Sequence, residues 1–364
     1  MFPIRNIERI DSPALVVYEE TIHDNILLAK EIAGDVTKLR PHVKTHKMRE
    51  ICEMMLGERI TKFKCATIAE AEMLAQAGAA DILLAYQPVG PKIERMLKLV
   101  ETYPSSRFSC LIDNEENARI INDRFERSSL TLNVFIDVNI GMNRTGICPP
   151  GAIDMARNIL LMKHLRIAGL HGYDGHIHDT DLTLRLQAAD ASFAEFDKVY
   201  QAVRTLFAYP LIRVLGGTPT FPIHARRSDV ECSPGTFVFW DWGYRYLLPD
   251  LPFQYAALVV SRVISVIDKH RICLDLGHKS IASENPLPRV HFLNAPEAIP
   301  VAHSEEHLVV EVPDSHLYPV GSVLYGVPEH ICPTVALYEK VFVVHNNEIK
   351  GSWKTIARDR CINV

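Results

Sequence analysis

The sequence predicts an α/β protein: a (β/α)8 barrel of the TIM type followed by a β-rich C-terminal domain. Three observations carry this. Short β-branched runs alternate with amphipathic stretches over the first two thirds of the chain. About eight such β/α units fit within roughly 240 residues, the count of a closed barrel, with an open doubly wound sheet as the alternative. From about residue 254 the alternation gives way to strand patterning alone. The expected domains are 1–253, the barrel, whose first residues are free to pair with the other domain, and 254–364, the β domain.

Taken in order, barrel strands are expected at 14–18, 38–45, 63–67, 81–85, 108–112, 132–138, 166–171, 213–215 and 230–232. Helical stretches lie between most of them. The clearest carries Leu186, Ala189, Phe193, Phe196, Tyr200, Val203 and Phe207, a 3-4-3-4-3-4 spacing that makes one apolar stripe for packing against a sheet. In the C-terminal domain, 256–266, 271–276, 307–312 and 340–344 read as strands bounded by Gly, Pro and Asp turns.

Composition narrows the function. The 364 residues hold 39 Lys+Arg against 44 Asp+Glu, a net charge of −5, with 48% hydrophobic and 23% charged residues. That is core-forming rather than disordered. An acidic chain without basic runs is a poor nucleic-acid binder, since phosphate neutralisation needs a basic face. No uncharged apolar window of about 18 residues exists and Met1-Phe2-Pro3-Ile4-Arg5 does not lead into a signal core, so a cytoplasmic protein without membrane attachment is expected. The eight cysteines are scattered without C-x-x-C and read as reduced, mostly buried thiols, Cys332 excepted.

A barrel enzyme works at the C-terminal ends of its strands, so strand ends hold the candidates. If 38–45 is a strand, its period of two puts Arg40, His42, Lys44 and His46 on one face. Pointing into a barrel, these cations need an anion such as a phosphate-bearing ligand. On an edge strand they would merely be solvated. Gly216-Gly217-Thr218 turns tightly after a strand and could bring backbone N–H groups and a hydroxyl to a phosphate, although G-G-T is commonly only a turn. In His330-Ile331-Cys332, positions two apart on an extended stretch let imidazole and sulfur converge on one ion. Two protein ligands leave open positions, as a catalytic metal does, and an N plus S pair favours zinc over magnesium or calcium. The alternative is a buried thiol beside an ordinary histidine.

The run Arg40-Pro41-His42-Val43-Lys44-Thr45-His46-Lys47 resembles the signature of pyridoxal-phosphate (PLP) enzymes of the alanine-racemase-type barrel (fold type III), in the branch of D-threonine aldolase and eukaryotic-type D-serine dehydratase. The resemblance implies that Lys44 carries the cofactor as a Schiff base. An amine among cations inside a barrel, with its ammonium form disfavoured, suits attack on an aldehyde. Further signatures follow in family order along nearly the whole chain. Ile136-Asp137-Val138-Asn139-Ile140-Gly141-Met142-Asn143-Arg144-Thr145-Gly146 resembles the turn whose arginine approaches the cofactor's phenolic oxygen, which assigns Arg144. His171-Gly172-Tyr173-Asp174-Gly175-His176-Ile177-His178 places Tyr173 near the ring and offers His176 or His178 as a base, His176 being the candidate.

On the same resemblance Gly216, Gly217 and Thr218 hold the phosphate, Gly235 and Thr236 complete the cradle, and His42 belongs to the cofactor site. Ser233 departs from alanine racemases, which carry an arginine facing the pyridine nitrogen; the departure argues against a dedicated racemase. His330 and Cys332 match the branch's metal motif, implying a divalent metal, zinc foremost with manganese or magnesium as alternatives. Ser304-Glu305-Glu306-His307 also resembles the family's β domain, without an assigned role. The implied protein is a homodimeric, PLP- and metal-dependent lyase of D-β-hydroxy amino acids. D-threonine aldolase-like cleavage to glycine and an aldehyde is placed first, D-serine dehydration second and amino-acid racemisation third. Cysteine as second metal ligand resembles the dehydratases, and Tyr173-Asp174-Gly175-His176 the bacterial aldolase-like sequences.

Overall fold

A computed structural model describes residues 4–364. The strands are β1 (Ala14–Tyr18), then β2 (Lys62–Cys65), β3 (Asp81–Leu84), β4 (Arg107–Ile112), β5 (Leu132–Val138), β6 (Leu165–Gly172), β7 (Ile212–Leu215) and β8 (Val230–Cys232). They continue with β9 (Ala257–Asp268), β10 (Arg271–Leu274), β11 (Val290–Phe292), β12 (Ile299–His303) and β13 (Leu308–Glu311). The last are β14 (Val323–Pro328), β15 (Lys340–His345) and β16 (Glu348–Lys354). The chain divides into two compact units. One holds residues 4–28, 45–48 and 236–358, the other 29–44, 49–235 and 359–364.

In the second unit, β2 to β8 pair side by side in chain order, all parallel. Leu39 bridges Cys232 of β8 and His42 bridges Lys64 of β2, both parallel, so the 39–42 segment closes the sheet into a barrel. This position carries two isolated bridges instead of the expected strand at 38–45. Pro41, which has no N–H to give a ladder, and the 3-10 turn Val36–Lys38 interrupt the pairing. Leu83, Leu111, Phe135 and Val214, one from each of β3, β4, β5 and β7, form an apolar layer inside.

Side-chain caps fix the helix starts. Thr67 Oγ1 accepts from Glu70 N (3.0 Å) while the Glu70 carboxylate accepts from Ala66 N (2.6 Å), a reciprocal cap. Asp181 accepts from the N–H groups of Thr183 and Leu184 and starts the helix Leu182–Arg204. That helix buries Ala189, Phe196, Tyr200 and Val203 of the expected stripe. Phe207 lies beyond its end.

In the first unit the sheet order is β12-β13-β10-β9-β1-β15-β16, with β14 pairing β9 and β11. The 14–18 strand, expected in the barrel, is β1 of this sheet, antiparallel to β9 and parallel to β15. All five of its residues are buried, and Ala14, Val16 and Tyr18 join Leu258, Val260, Val327 and Val344 in one core. Burial on both faces accounts for its unalternating Ala-Leu-Val-Val-Tyr sequence. No helix among the described residues is long and apolar enough to cross a membrane.

Candidate functional site

The basic run at 40–46 meets several different environments. Arg40, fully buried, is neutralised by protein carboxylates: its guanidinium donates to Asp81 and to Glu231 at 2.7 Å each. Lys62 also donates to Glu231, and Arg107 to Asp81. The anion expected to compensate Arg40 is thus built into the fold. His42 is nearly buried; its Nδ1 accepts from Lys44 N (3.3 Å) and its own N–H donates to Pro234 O (2.9 Å). Lys44 is half-buried in the barrel unit. His46 is fully buried in the other unit, and burial lowers its imidazole pKa to about 3, so it is neutral.

Around the barrel strand ends several groups converge. Tyr173, just after β6, has Arg144 Cζ 4.9 Å and Lys64 Nζ 5.7 Å from its ring centroid. The turn that presents Arg144 is built by Asn139, whose Oδ1 accepts from Gly141 N and Asn143 N. Gly146 N donates to Asp113 and Thr145 Oγ1 to Asp137. Arg144 itself is exposed. His176 is exposed and packs on Gly141, where any side chain would strike its imidazole; His178 is exposed as well.

Gly216 sits at φ +74°, and a Cβ there would come within 2.8 Å of His224, so the 216–218 turn needs glycine at that position. Beneath the turn, Asp174 accepts from His224 Nε2 (2.7 Å) and Thr220 Oγ1 (2.9 Å), all three buried. Burial alone would raise the Asp174 pKa, but these partners outweigh it and hold it low. Thr218 Oγ1 accepts from Gly235 N (3.1 Å), joining the two halves of the expected cradle. Nearby in sequence, the Ser233 hydroxyl is buried without a hydrogen-bond partner among the described residues. A half-buried lysine, a left-handed glycine turn and an orphaned buried hydroxyl fit an aldehyde cofactor bearing a phosphate.

The His-x-Cys pair lies in the other unit. The extended stretch expected there is replaced by a short helix, Ile331–Val335, with His330 as its N-cap residue, because the chain turns where Asp241 accepts from Ile331 N (3.0 Å) and Thr334 Oγ1 donates to His330 O. The two side chains still interact. Burial lowers the His330 pKa, but Cys332, Asp241 and Glu284 outweigh it and bring it to about 9. His330 Nδ1 is 2.6 Å from Glu284 Oε1, and Cys332 Sγ lies 3.2 Å from Thr45 Oγ1 and 3.6 Å from Thr236 Oγ1. Among the described residues no three His, Cys, Asp or Glu side chains gather as a metal site. His330 and Cys332 offer one imidazole and one sulfur, a pair whose chemistry would suit a borderline-soft divalent ion with positions left open.

The residues matched by the family model for the alanine racemase N-terminal domain are 17–241, more than half of the chain. The chain belongs to the alanine racemase N-terminal domain family. Residues 256–344 match a second model, the putative serine dehydratase domain. The chain is 26% identical to D-threonine aldolase of Arthrobacter sp. over 97% of its own length and 94% of that protein's. It is 21% identical to D-serine dehydratase of Dictyostelium discoideum, over 96% and 97%. The crystal structure of D-threonine aldolase from Filomicrobium marinum superposes with a TM-score of 0.88 at 25% identity, over 98% of both chains.

Three features of the family barrel escaped the sequence reading: Lys64 with His171 and Asp137, the buried Asp174–Thr220–His224 group, and Arg40's two carboxylates. Asp241 in the other unit escaped it too. For Lys64 a signal existed, a lysine alternating with Phe63 and Cys65 on a buried strand.

Proposed function

We propose that this protein is a PLP- and divalent-metal-dependent lyase of D-β-hydroxy amino acids that cleaves in the manner of D-threonine aldolase. The observation that best supports this reading is the full-length likeness to D-threonine aldolase, which spans both the barrel with Lys44 and the unit with His330 and Cys332. The site assignments below belong to the same proposal.

When bound, PLP supplies an electron sink for charge developing at the substrate Cα. Lys44 would hold it through its amine, and Gly216, Gly217, Thr218, Gly235 and Thr236 would take its phosphate, with the Ser233 hydroxyl beside them. Arg144, always charged, would pair with the phenolic oxygen, and Tyr173 and His42 would line the ring. His330 and Cys332 would hold a divalent metal, which would supply Lewis acidity toward the substrate hydroxyl. His176, exposed beyond the end of β6, would accept the hydroxyl proton as Cα–Cβ breaks to leave glycine and an aldehyde.

Dehydration is the second reading. Lys44 would then remove the α-proton and the hydroxyl would leave, giving a keto acid and ammonia; the relatives named as dehydratases favour keeping it in view. The test is an assay of the purified protein on D-threonine and D-serine, with and without EDTA. Acetaldehyde formation abolished by EDTA supports the aldolase; pyruvate from D-serine supports the dehydratase. Activity that survives chelation returns the racemase reading. The homodimer implied by the resemblance is checked by light scattering, where a fully active monomer would refute it.

A further inference from the structure

Lys64, on β2, is a second lysine inside the barrel and only 2% exposed. No carboxylate lies within ion-pair distance of its Nζ among the described residues; its polar neighbour is His171 Nε2 at 3.4 Å. His171 in turn has Nδ1 2.7 Å from Asp137 Oδ1, and Thr145 Oγ1 donates to the other carboxylate oxygen. With Asp137 fixing the proton on Nδ1, the Nε2 lone pair faces Lys64 and accepts from its amine. This hydrogen-bonded chain ends beside the 39–44 segment: Val43 N donates to Lys64 O and Lys64 N to Pro41 O, each at 2.9 Å, one and three residues before Lys44.

We propose that Lys64, held by His171 and Asp137, is a positioning residue acting through Lys44: it takes the ammonium proton of Lys44 when that amine is to be used and returns it when the amine is released. The inference rests on the reading of Lys44 as the cofactor lysine. The exchange balances without a co-reactant. One N–H of the Lys44 ammonium breaks, its electron pair stays on Lys44, and the proton goes to the Lys64 lone pair.

The surroundings allow it. Burial first, then the Lys44 charge, lowers the Lys64 pKa to about 7, with Arg40 adding to this and Asp137 and Asp174 opposing it. The other charged or titratable groups around it are His171, Tyr173, whose ring it lies over, and Arg144, over the same ring. A lysine paired to a carboxylate would stay charged and be useless as an acceptor. One that meets only a neutral imidazole and an aromatic face can hold either state.

The test follows the pH dependence of the rate at which PLP forms a borohydride-sensitive absorbance band with the full-length protein. Wild type is expected to show a rise with its midpoint at about 7. Lys64→Met and Lys64→Arg should both lose that rise and react about 10-fold or more slowly near neutral pH, since neither can accept a proton. Arginine keeps the charge, so a wild-type profile in Lys64→Arg would mean that only charge matters and overturns the proposal. An unchanged profile in Lys64→Met overturns it as well. If Lys64→Met does not fold, His171→Asn serves: it keeps Lys64 but removes its acceptor, and must move the midpoint. A band with unaltered profiles defeats the Lys64 inference alone, whereas no band in wild type defeats the cofactor reading and this inference with it.

Discussion

His171 Nδ1 lies 2.7 Å from Asp137 Oδ1 inside the barrel, and both side chains are almost fully buried. The pair joins adjacent parallel strands, β5 and β6, at the register Asp137 to His171. Burial, then Lys64, lowers the His171 pKa, so the imidazole is neutral and its hydrogen bond to the carboxylate fixes one tautomer. That fixed tautomer gives the site a defined donor and acceptor direction.

The 216–218 turn should be sensitive to one methyl group. Gly216→Ala places a Cβ at φ +74° and 2.8 Å from His224. We expect a loss of about 1–3 kcal/mol in stability from the strained backbone and a PLP affinity at least about 10-fold weaker. An absorbance titration with PLP and a thermal melt measure the two; wild-type values in both would show that the turn holds no phosphate.

Metal binding to His330 should compete with a proton. Its imidazole titrates at about 9 without metal, and a metal needs the neutral ring, so affinity should rise about 10-fold per pH unit below that value. Zinc titrations against a competing chelator at about pH 6.5 and 7.5 test this slope. Cys332→Ala should lower zinc affinity by about 100-fold and leave the barrel's PLP band in place.

Acid should destabilise the fold through His46. Its folded pKa of about 3 lies below the ordinary 6.5, so the unfolded chain binds the proton first; the stability is present above about 6.5 and is lost as pH falls from there toward 3. The loss at pH 5 amounts to about 2 kcal/mol from this group. His46→Asn, able to accept from Met48 N as Nδ1 does, should flatten the dependence between about pH 7 and 5 in urea titrations.

The Arg40 network should be the costliest to break. Arg40→Met leaves Asp81 and Glu231 without their buried partner, and we expect about 3–5 kcal/mol of destabilisation in chemical denaturation. A loss below about 1 kcal/mol would mean that Lys62 and Arg107 suffice.

Much of this molecule was legible in sequence. Parallel strands buried on both faces appear as apolar runs, and β3 to β6 lie close to the expected positions for that reason. The 14–18 segment has the same look, yet it pairs with β9 more than 230 residues away, and nothing local distinguishes one buried sheet from another. Four strands went unread: β11 has only three residues, β12 and β16 are exposed along much of their length and so show no clear apolar run, and β14 pairs with β9 and β11, which lie distant in sequence. The motif residues were legible because glycine turns, a basic run and His-x-Cys are local. Partners such as Asp81 and Glu231 for Arg40, 41 and 191 residues away, are set by barrel closure and have no local signature.

The most direct measurement is borohydride reduction of the purified protein after PLP is added, followed by peptide mapping. The account predicts an absorbance band that reduction removes and a pyridoxyl label on Lys44. A label on Lys64 or another lysine, or no label at all, would contradict it.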